Sequence, residues 1–426
     1  MINLRDHVGE VLDRPITLAV VGAGARGAAY AELAASWPER VRVVAVAEPV
    51  EEVRSRFAVR HGLPDSRVFG DWREMAAQGR IADAVIVATL DADHLAPTRV
   101  LAEQGYDILL EKPIAPTEAE TVAIGEAAAR TGAMIAVCHV MRYTPYTRRL
   151  RGELPRIGDI VSIEHLEPVG WYHFAHSFVR GSWRRTDEAT FALLAKSCHD
   201  IDWLGHLVGR RVERVSSFGG LRHFRADQRP EGAGERCLEC RIERSCPYSA
   251  VRLYRTGLRE GGTKRYFTRV ATGGVLTEEA VTRALAEGPY GRCVYASDND
   301  VVDHQVVNLE YEDGITVSFT MTAFTPLENR HTKIFGTRGQ LTGDGRFIHV
   351  YDFLSEQTTT IDTSLDGSSA AEGHAGGDEA LMDAFVRALH EGRPELVLSG
   401  IQESVDSHRV VFAAERARRT AGVQTL

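Results

Sequence analysis

Residues 16–27 read Ile-Thr-Leu-Ala-Val-Val-Gly-Ala-Gly-Ala-Arg-Gly, an apolar run followed by glycines at 22, 24 and 27. The apolar run predicts a buried strand, and the alanine-rich stretch from Ala25 to Ser36 predicts a helix. In such a turn Gly22 permits the tight bend, Gly24 lets the main chain approach a pyrophosphate, and Gly27 lets the helix pack against the strand. The phosphates lie at the helix N-terminus, where N–H groups and the helix dipole favour an anion. This stretch therefore predicts a dinucleotide-binding unit.

The pattern of apolar residues changes about a third of the way along the chain. Up to Cys138, short apolar runs alternate with helical patterns, which is typical of βαβ units with a parallel sheet. Beyond Arg142, apolar and polar residues alternate as they do in antiparallel strands. The dipeptide Asp313-Gly314 predicts a hairpin turn between two of these strands.

The predicted fold class is α/β. Residues 1–141 are expected to form a Rossmann domain with a doubly wound parallel sheet. Residues 142–426 are expected to form an α+β domain with a mainly antiparallel sheet. This second domain is expected to contain a Cys-rich insertion at residues 220–300, with little apolar periodicity, and C-terminal helices.

The composition favours a small-molecule partner. The formal net charge is −9 and no long basic run is present, so we expect no nucleic-acid partner. Residues 1–14 are charged and unlike a signal peptide, and no stretch is long enough to span a bilayer, so we expect a cytoplasmic protein without a membrane partner. The six cysteines are then expected as thiols or metal ligands rather than as disulfides.

Glu48 follows the second apolar run, Val41 to Ala47. An acid at this place accepts hydrogen bonds from the adenosine ribose and repels a 2′-phosphate. We therefore expect NAD rather than NADP as the cofactor. Arg54 and Arg56 follow closely, and we expect them on the exposed face of the next helix.

The triplet Glu111-Lys112-Pro113 follows a short apolar run, which places Lys112 at the carboxyl end of the sheet, where α/β folds bind ligands. Together with the glycine motif and with the strand end at Thr89 followed by His94, this triplet resembles the glucose–fructose oxidoreductase/inositol dehydrogenase family (Gfo/Idh/MocA). The resemblance is strongest over residues 1–150. It implies that Lys112 contacts the substrate hydroxyl and the nicotinamide, and that Glu111 orients the lysine.

The residues expected to bind the cofactor lie in the glycine motif and at the strand ends that follow it. They are Gly22, Gly24, Ala25, Arg26, Gly27, Glu48, Thr89, His94, Glu111 and Lys112.

His199 and Asp202 lie three residues apart on a predicted helix from Ser197 to Val208, and therefore on one face of it. We expect His199 to act beside Lys112 as a catalytic acid or base, and Asp202 to orient it at the substrate. In the family that the chain resembles, an Asp commonly precedes this histidine by one turn, whereas this chain has Ala195 there. The alternative is a buried histidine with a structural role.

The stretch from Trp171 to Arg185 is rich in aromatic, histidine and arginine side chains. Such side chains suit a sugar or cyclitol and an acidic group on it. The alternatives are an ordinary surface loop, or a metal held by the two histidines. The expected substrate contacts in this part of the chain are Arg142, His173, His176, Arg180, Trp183 and Asp202.

Four of the cysteines have a spacing that is typical of metal sites. Cys237, Cys240 and Cys246 lie close together, and Cys293 follows far downstream. Four thiolates fit a tetrahedral structural zinc ion, which would order the poorly patterned insertion. Unligated thiols, an iron–sulfur cluster and disulfides are the alternatives.

These features predict an NAD-dependent oxidoreductase that transfers hydride between a carbinol of a sugar-like or cyclitol substrate and nicotinamide. A second hypothesis is a redox-neutral glycosidase or lyase that oxidises its substrate transiently with tightly held NAD and then reduces it back. A third is a non-catalytic NAD-binding sensor, which the Glu111-Lys112 pair disfavours. Assembly into a homo-oligomer is left open.

Overall fold

A computed structural model describes residues 14–366 and 376–426. The described chain divides into two compact units. The first contains residues 14–159, 198–211 and the described part of 346–412, and the second contains Ile160–Ser197, Val212–Gly345 and Ala413–Leu426. The domain boundary after residue 141 stays a prediction.

The first unit is built on a parallel sheet, and its six described strands lie in the order β3-β2-β1-β4-β5-β6. The strands are β1 (Ile16–Val21), β2 (Val41–Ala47), β3 (Val68–Phe69), β4 (Ala84–Val87), β5 (Asp107–Leu110) and β6 (Ile135–Val137). Successive strands are added toward one edge of the sheet from β1 to β3 and toward the other edge from β4 to β6, so the order of the strands reverses between β1 and β4. Such a switch point opens a crevice at the carboxyl ends of the strands, where ligands of α/β folds bind.

Each of these strands is followed in the chain by a helix, and further elements of the unit come from later in the chain. The helices are α1 (Ala25–Ala35), α2 (Glu51–His61), α3 (Trp72–Ala76), α4 (Leu95–Glu103), α5 (Glu118–Thr131) and α6 (Pro145–Glu153). The later elements are the hairpin of β13 (Phe347–Asp352) and β14 (Gln357–Asp362), and the helix α12 (Gly377–Glu391). Two long helices, α8 (Ala192–Val208) and α13 (Ile401–Thr420), have residues in both units.

The parallel sheet is buried on both faces. Leu18 and Val20 of β1 belong to one apolar core, and the alternate residues Ala19 and Val21 belong to another. All four are 0–1% exposed. Burial on both faces explains why β1 is a continuous apolar run and confirms the doubly wound arrangement.

The second unit contains a mainly antiparallel sheet, as predicted. Its strands lie in the order β12-β11-β7-β10-β9-β8-β15, and only the β7–β10 pair among them is parallel. They are β7 (Ile160–Pro168), β8 (Val212–Gly220), β9 (His304–Tyr311), β10 (Thr316–Thr322), β11 (His331–Gly336), β12 (Gly339–Gly343) and β15 (Gln424–Thr425). The predicted turn joins β9 to β10, with φ of 64° at Asp313 and 75° at Gly314.

The insertion folds around an apolar core of its own, contrary to expectation. It contains α9 (Ala250–Glu260), α10 (Gly262–Ala271) and α11 (Glu278–Ala286). The buried residues of α9 are Ala250, Leu253, Tyr254 and Gly257, spaced at helical period, and they join a core with Phe267, Val281 and Leu285. Arginines on the other face of α9 hid this period in the sequence. Ahead of the insertion, a short helix α7 (Trp171–Phe174) runs into a π-helical turn, Ala175–Arg180.

In the described part of the chain, no helix is both long and apolar enough to cross a membrane.

Candidate active site

The turn after β1 depends on two glycines that no larger residue could replace. Gly22 has a φ of +88°, and a Cβ there would lie 2.5 Å from the Ala88 carbonyl oxygen. A Cβ on Gly27 would lie 2.0 Å from the Gly22 carbonyl oxygen. The first glycine is therefore needed for the turn itself, and the second for the close approach of α1 to β1.

The space around Gly24 is open instead. Its φ is −63°, and a Cβ there would meet nothing within 4 Å. Gly24 is the N-cap of α1, where the Ala28 N–H donates to its carbonyl oxygen. The N–H groups of Ala25, Arg26 and Gly27 precede that bond along the helix. An open cradle at a helix N-terminus fits the pyrophosphate of a dinucleotide.

Glu48 lies buried beside this turn. Its carboxylate accepts hydrogen bonds from the Ala23 N–H (2.8 Å) and the Val50 N–H (3.0 Å). Each oxygen keeps a further lone pair, which can accept a ribose hydroxyl. Arg54 is not on an exposed face as expected, because its guanidinium donates to the Glu48 carbonyl oxygen (2.6 Å); Arg56 is exposed.

An ion pair ties the loop that carries Lys112 to the glycine turn. Glu111 Oε1 accepts from the Arg26 guanidinium (2.6 Å), and Oε2 accepts from the main-chain N–H of Lys112 (2.9 Å). Arg26 also donates to Asp378 and to the Tyr30 hydroxyl. Glu111 therefore fixes the main chain from which the lysine side chain extends.

The Lys112 charge lies among titratable groups from three other segments. It acts on the pKa of Asp91, of His139 and of Cys198. Cys198 adjoins His199 on α8. Within the first unit, Lys112 is therefore close enough to the segment that carries His199 for its charge to act there.

Asp91 is a candidate that the sequence analysis missed. It opens a short 3₁₀ turn, Asp91–Asp93, after β4, and is half-buried. Burial raises its pKa above the ordinary value, although the charges of His94 and Lys112 lower it in part. Its position at a strand end beside the switch point was the available signal.

His94 forms hydrogen bonds with the main chain of the loop that carries Lys112. Its Nδ1 lies 2.9 Å from the Pro113 carbonyl oxygen and 3.2 Å from that of Ile114, so this nitrogen carries the proton. The Thr89 hydroxyl donates to the Leu90 carbonyl oxygen (3.3 Å). Contact of His94 and Thr89 with the cofactor stays a prediction.

Arg142 and Asp202 form a buried, bidentate ion pair. The guanidinium Nε and Nη2 donate to the carboxylate at 2.7 and 2.6 Å, and the Ser407 hydroxyl donates to the same carboxylate (3.1 Å). Burial raises the pKa of Asp202, but the charges of His139 and Arg142 outweigh it and hold that pKa below its ordinary value. Both side chains thus have partners within the fold, and their contact with substrate stays a prediction.

His199 lies beside the buried His139, which in turn lies beside the buried His408. Its ring meets that of His139 edge-on, with centroids 5.7 Å apart, and the His139 ring is 5.5 Å from that of His408. Burial lowers the pKa of His139 to about 4 and that of His408 to about 3. At neutral pH both rings are therefore uncharged, and one of them, His139, is a direct neighbour of His199, whose catalytic role stays a prediction.

The other expected substrate contacts lie in the second unit, and two of them serve its core. His176 is buried, hydrogen-bonds the Tyr254 hydroxyl through Nδ1 (2.9 Å) and stacks on Tyr290. Arg180 is 2% exposed and donates to the carbonyl oxygens of Arg292 and Tyr248.

The remaining two of these residues are placed differently. The His173 ring contacts Phe178 and Phe267, and Trp183 is 41% exposed. Contact of these four residues with substrate stays a prediction.

The zinc prediction is not supported. Within residues 14–366 and 376–426, no group of three or more His, Cys, Asp or Glu side chains is arranged to hold a metal ion. Cys237, Cys240, Cys246 and Cys293 do line one small cavity as free thiols, together with Arg180, whose guanidinium donates to Cys237 Sγ (3.7 Å). The insertion's own apolar core supplies the order for which a metal was invoked.

Comparison with known families decides the relationship. Residues 16–139 match the oxidoreductase family with an NAD-binding Rossmann fold, GFO_IDH_MocA, and residues 154–424 match the C-terminal alpha/beta domain of that family. The chain belongs to the Gfo/Idh/MocA oxidoreductase family. The resemblance and the fold class predicted from the sequence are thereby confirmed, and the protein is an NAD(P)-dependent oxidoreductase.

Three relatives illustrate the range of activities near this member of the family. It is similar to the putative oxidoreductase YteT of Bacillus subtilis (24% identical, 75% of this chain and 76% of that protein). It is also similar to 2,7-anhydro-N-acetylneuraminate hydratase of Escherichia coli (31% identical, 33% of this chain and 37% of that protein). A third is inositol 2-dehydrogenase 1 of Saccharopolyspora erythraea (28% identical, 47% of this chain and 57% of that protein).

The two kinds of glycine in the turn predict different failures. Gly27→Ala should lower the free energy of unfolding by about 1–3 kcal/mol, because its Cβ would overlap the Gly22 carbonyl oxygen. Gly24→Ala should leave unfolding unchanged and weaken NAD binding about tenfold or more, because its methyl group fills the cradle. Thermal unfolding and NAD titration of both variants check this. Normal NAD binding by Gly24→Ala would contradict it.

The buried histidines predict acid sensitivity. His139 and His408 take up protons in the unfolded chain near pH 6.5 but resist them in the fold, because burial lowers their pKa values to about 4 and about 3. The unfolded state therefore binds more protons as the pH falls from 6.5 to 4, and stability falls by about 1.4 kcal/mol per pH unit for each histidine. Urea unfolding across this range measures the slope. His408→Gln should flatten it, and an unchanged slope would contradict the assignment.

Proposed function

We propose that this enzyme transfers hydride between a carbinol of a sugar-like or cyclitol substrate and the nicotinamide of NAD. The observation that carries the proposal is the Arg26–Glu111 ion pair, which joins the dinucleotide cradle to the main chain of Lys112. A relative named inositol 2-dehydrogenase supports a cyclitol or similar polyol as substrate.

A bound nicotinamide supplies the hydride acceptor or donor. The chain's task is to hold the substrate hydroxyl and to move its proton. Oxidation removes a hydride, which carries two electrons, from the carbinol carbon, and the hydroxyl proton passes to a base, for which the Lys112 amine is the first candidate. His199 is the second candidate, because α8 borders the same lysine. Burial raises the pKa of Asp91 and the Lys112 charge lowers it in part, so this carboxyl is a further ionisable group near the lysine.

The lysine amine can be tested by a substitution that removes the amine and keeps most of the side chain. Lys112→Met keeps an unbranched apolar chain and should lower turnover of myo-inositol or a related polyol roughly 10²–10⁴-fold, the usual scale of a positioned proton-transfer group. NAD affinity should change little. Lys333→Met, at an exposed position, is the matched control. A turnover near that of the unmodified enzyme would shift the assignment to His199.

A redox-neutral reaction is the second candidate function. It is favoured by the Escherichia coli relative, because a hydratase adds water without net oxidation. The residue one turn before His199 is Ala195 rather than the aspartate that is common in the family. The absence of this acid also favours a reaction other than simple dehydrogenation. Such an enzyme would oxidise the substrate, let elimination or addition proceed, and return the same hydride.

Deuterium at the oxidised carbon separates the first two functions. A dehydrogenase should release deuterated NADH in step with product. A redox-neutral enzyme should form product with no net NADH and with the deuterium returned to the substrate carbon. Absorbance at the NADH band and mass spectrometry of the product measure the two outcomes.

Cofactor choice provides a separate test. We propose NAD over NADP, since the buried Glu48 carboxylate lies beside the cradle and would repel a 2′-phosphate. Glu48→Ser should narrow the preference by about 1–3 kcal/mol, the scale of a hydrogen bond to a charged group. Glu48→Asp keeps the charge and is the control. Tighter binding of NADP by the unmodified enzyme would overturn the assignment.

The remaining proposals concern the setting of the enzyme. We propose a cytoplasmic location and a small-molecule substrate without nucleic-acid or membrane partners, in keeping with the charge and the pattern of the sequence. Fractionation of cells would test the location, and the mass of the purified protein in solution would decide whether the chain forms a homo-oligomer.

A further inference from the structure

A buried histidine far along the chain holds the lysine loop. His408 lies on α13 with no exposed surface. Its Nδ1 is 2.8 Å from the Ser404 carbonyl oxygen, and its Nε2 is 3.1 Å from the Ile114 main-chain nitrogen. A carbonyl oxygen only accepts and an N–H only donates, so Nδ1 carries the proton and Nε2 is the acceptor. Both nitrogens of the neutral ring are thereby committed.

The hydrogen bond from Ile114 completes the anchoring of the main chain around Lys112. The Glu111 N–H donates to the Val87 carbonyl oxygen, and the Lys112 N–H donates to the Glu111 carboxylate. Pro113 has no N–H. The Ile114 N–H is therefore the first main-chain donor after that of Lys112, and its acceptor lies 294 residues further along the chain.

The peptide after Lys112 is held from both sides by imidazole rings of opposite hydrogen-bonding sense. His94 donates to the carbonyl oxygens of Pro113 and Ile114, whereas His408 accepts from the Ile114 N–H. Neither ring can exchange its role without moving its proton. This arrangement fixes the point from which the lysine side chain leaves the main chain, two residues before Ile114.

We propose that His408 is a positioning residue for Lys112, acting through the Ile114 amide. The inference rests on the proposed role of Lys112 in proton transfer. It predicts that the acceptor at the Nε2 position matters for catalysis, whereas the remainder of the ring matters for packing. Displacement of a reacting group by about 1 Å can cost about 10²-fold in rate, so loss of this anchor should be visible in turnover.

Two amide variants separate the acceptor from the ring. In His408→Gln the side-chain oxygen can reach the place of Nε2 and accept from Ile114, whereas in His408→Asn the shorter amide can replace only Nδ1. Hydrogen exchange at the Ile114 amide should stay slow in the Gln variant and become at least tenfold faster in the Asn variant. NAD affinity should stay within threefold of that of the unmodified enzyme in both.

The position of the lysine can be read without a substrate. Brief acetylation of the NAD-bound enzyme with acetic anhydride, followed by peptide mass spectrometry, reports the reactivity of the Lys112 amine. We expect at least a threefold change in the Asn variant, none in the Gln variant, and no change at Lys333 in either. With myo-inositol and NAD, kcat should fall at least tenfold in the Asn variant with KM little changed, and recover in the Gln variant.

Each outcome decides between the hypotheses. Faster exchange at Ile114 with unchanged Lys112 labelling and unchanged kcat would overturn the positioning role while leaving the proposed function intact. Equal losses in both variants, accompanied by weaker NAD binding, would show that the ring serves packing alone and would also overturn it. Undiminished turnover in Lys112→Met would refute the proposed role of the lysine, even where labelling shows that His408 positions it.

Discussion

The ion pair between Arg26 and Glu111 is the interaction on which the site depends. Arg26 comes from the glycine turn, and Glu111 precedes the lysine, so one guanidinium couples the cofactor cradle to the reacting loop. The second oxygen of the same carboxylate holds the Lys112 main chain. Because Glu111 is buried, loss of Arg26 would leave its carboxylate charge unpaired and shielded from water. The glycine turn and the lysine loop therefore each depend on the other for their geometry.

Elements whose physics is local were predictable from the sequence. The strand, turn and helix at residues 16–35 follow from an apolar run and from glycines whose missing side chains the turn requires. Helix α13 spans Ile401–Thr420 and is one of the C-terminal helices that the sequence predicts. Asp313-Gly314 forms the predicted hairpin turn because both residues adopt positive φ. In each of these the determining contacts lie within a few residues, where a pattern can record them.

Side-chain partnerships across the chain could not be predicted in this way. The Arg142–Asp202 pair joins residues 60 apart, and the spacing on α8 suggested only that Asp202 would face His199. The cysteine spacing predicts a metal site, but the structure does not support one. The arginines of α9 mask the apolar period by which the insertion forms its own core. Asp91 belongs to no sequence motif. It comes near Lys112 because the neighbouring parallel strands β4 and β5, which precede the two residues, end at the same edge of the sheet.

The hydrogen bond between Ile114 and His408 also bears on the order of synthesis. The Rossmann strands and the lysine loop leave the ribosome long before α13, and a parallel sheet of this kind can begin to form by then. The main-chain N–H of Ile114, however, stays without this acceptor until residue 408 has emerged, 294 residues after Ile114. A nascent chain, or one cut before residue 408, can thus acquire the dinucleotide fold while the Ile114 N–H still lacks its acceptor, so the lysine loop is fully anchored only after α13 has joined the fold.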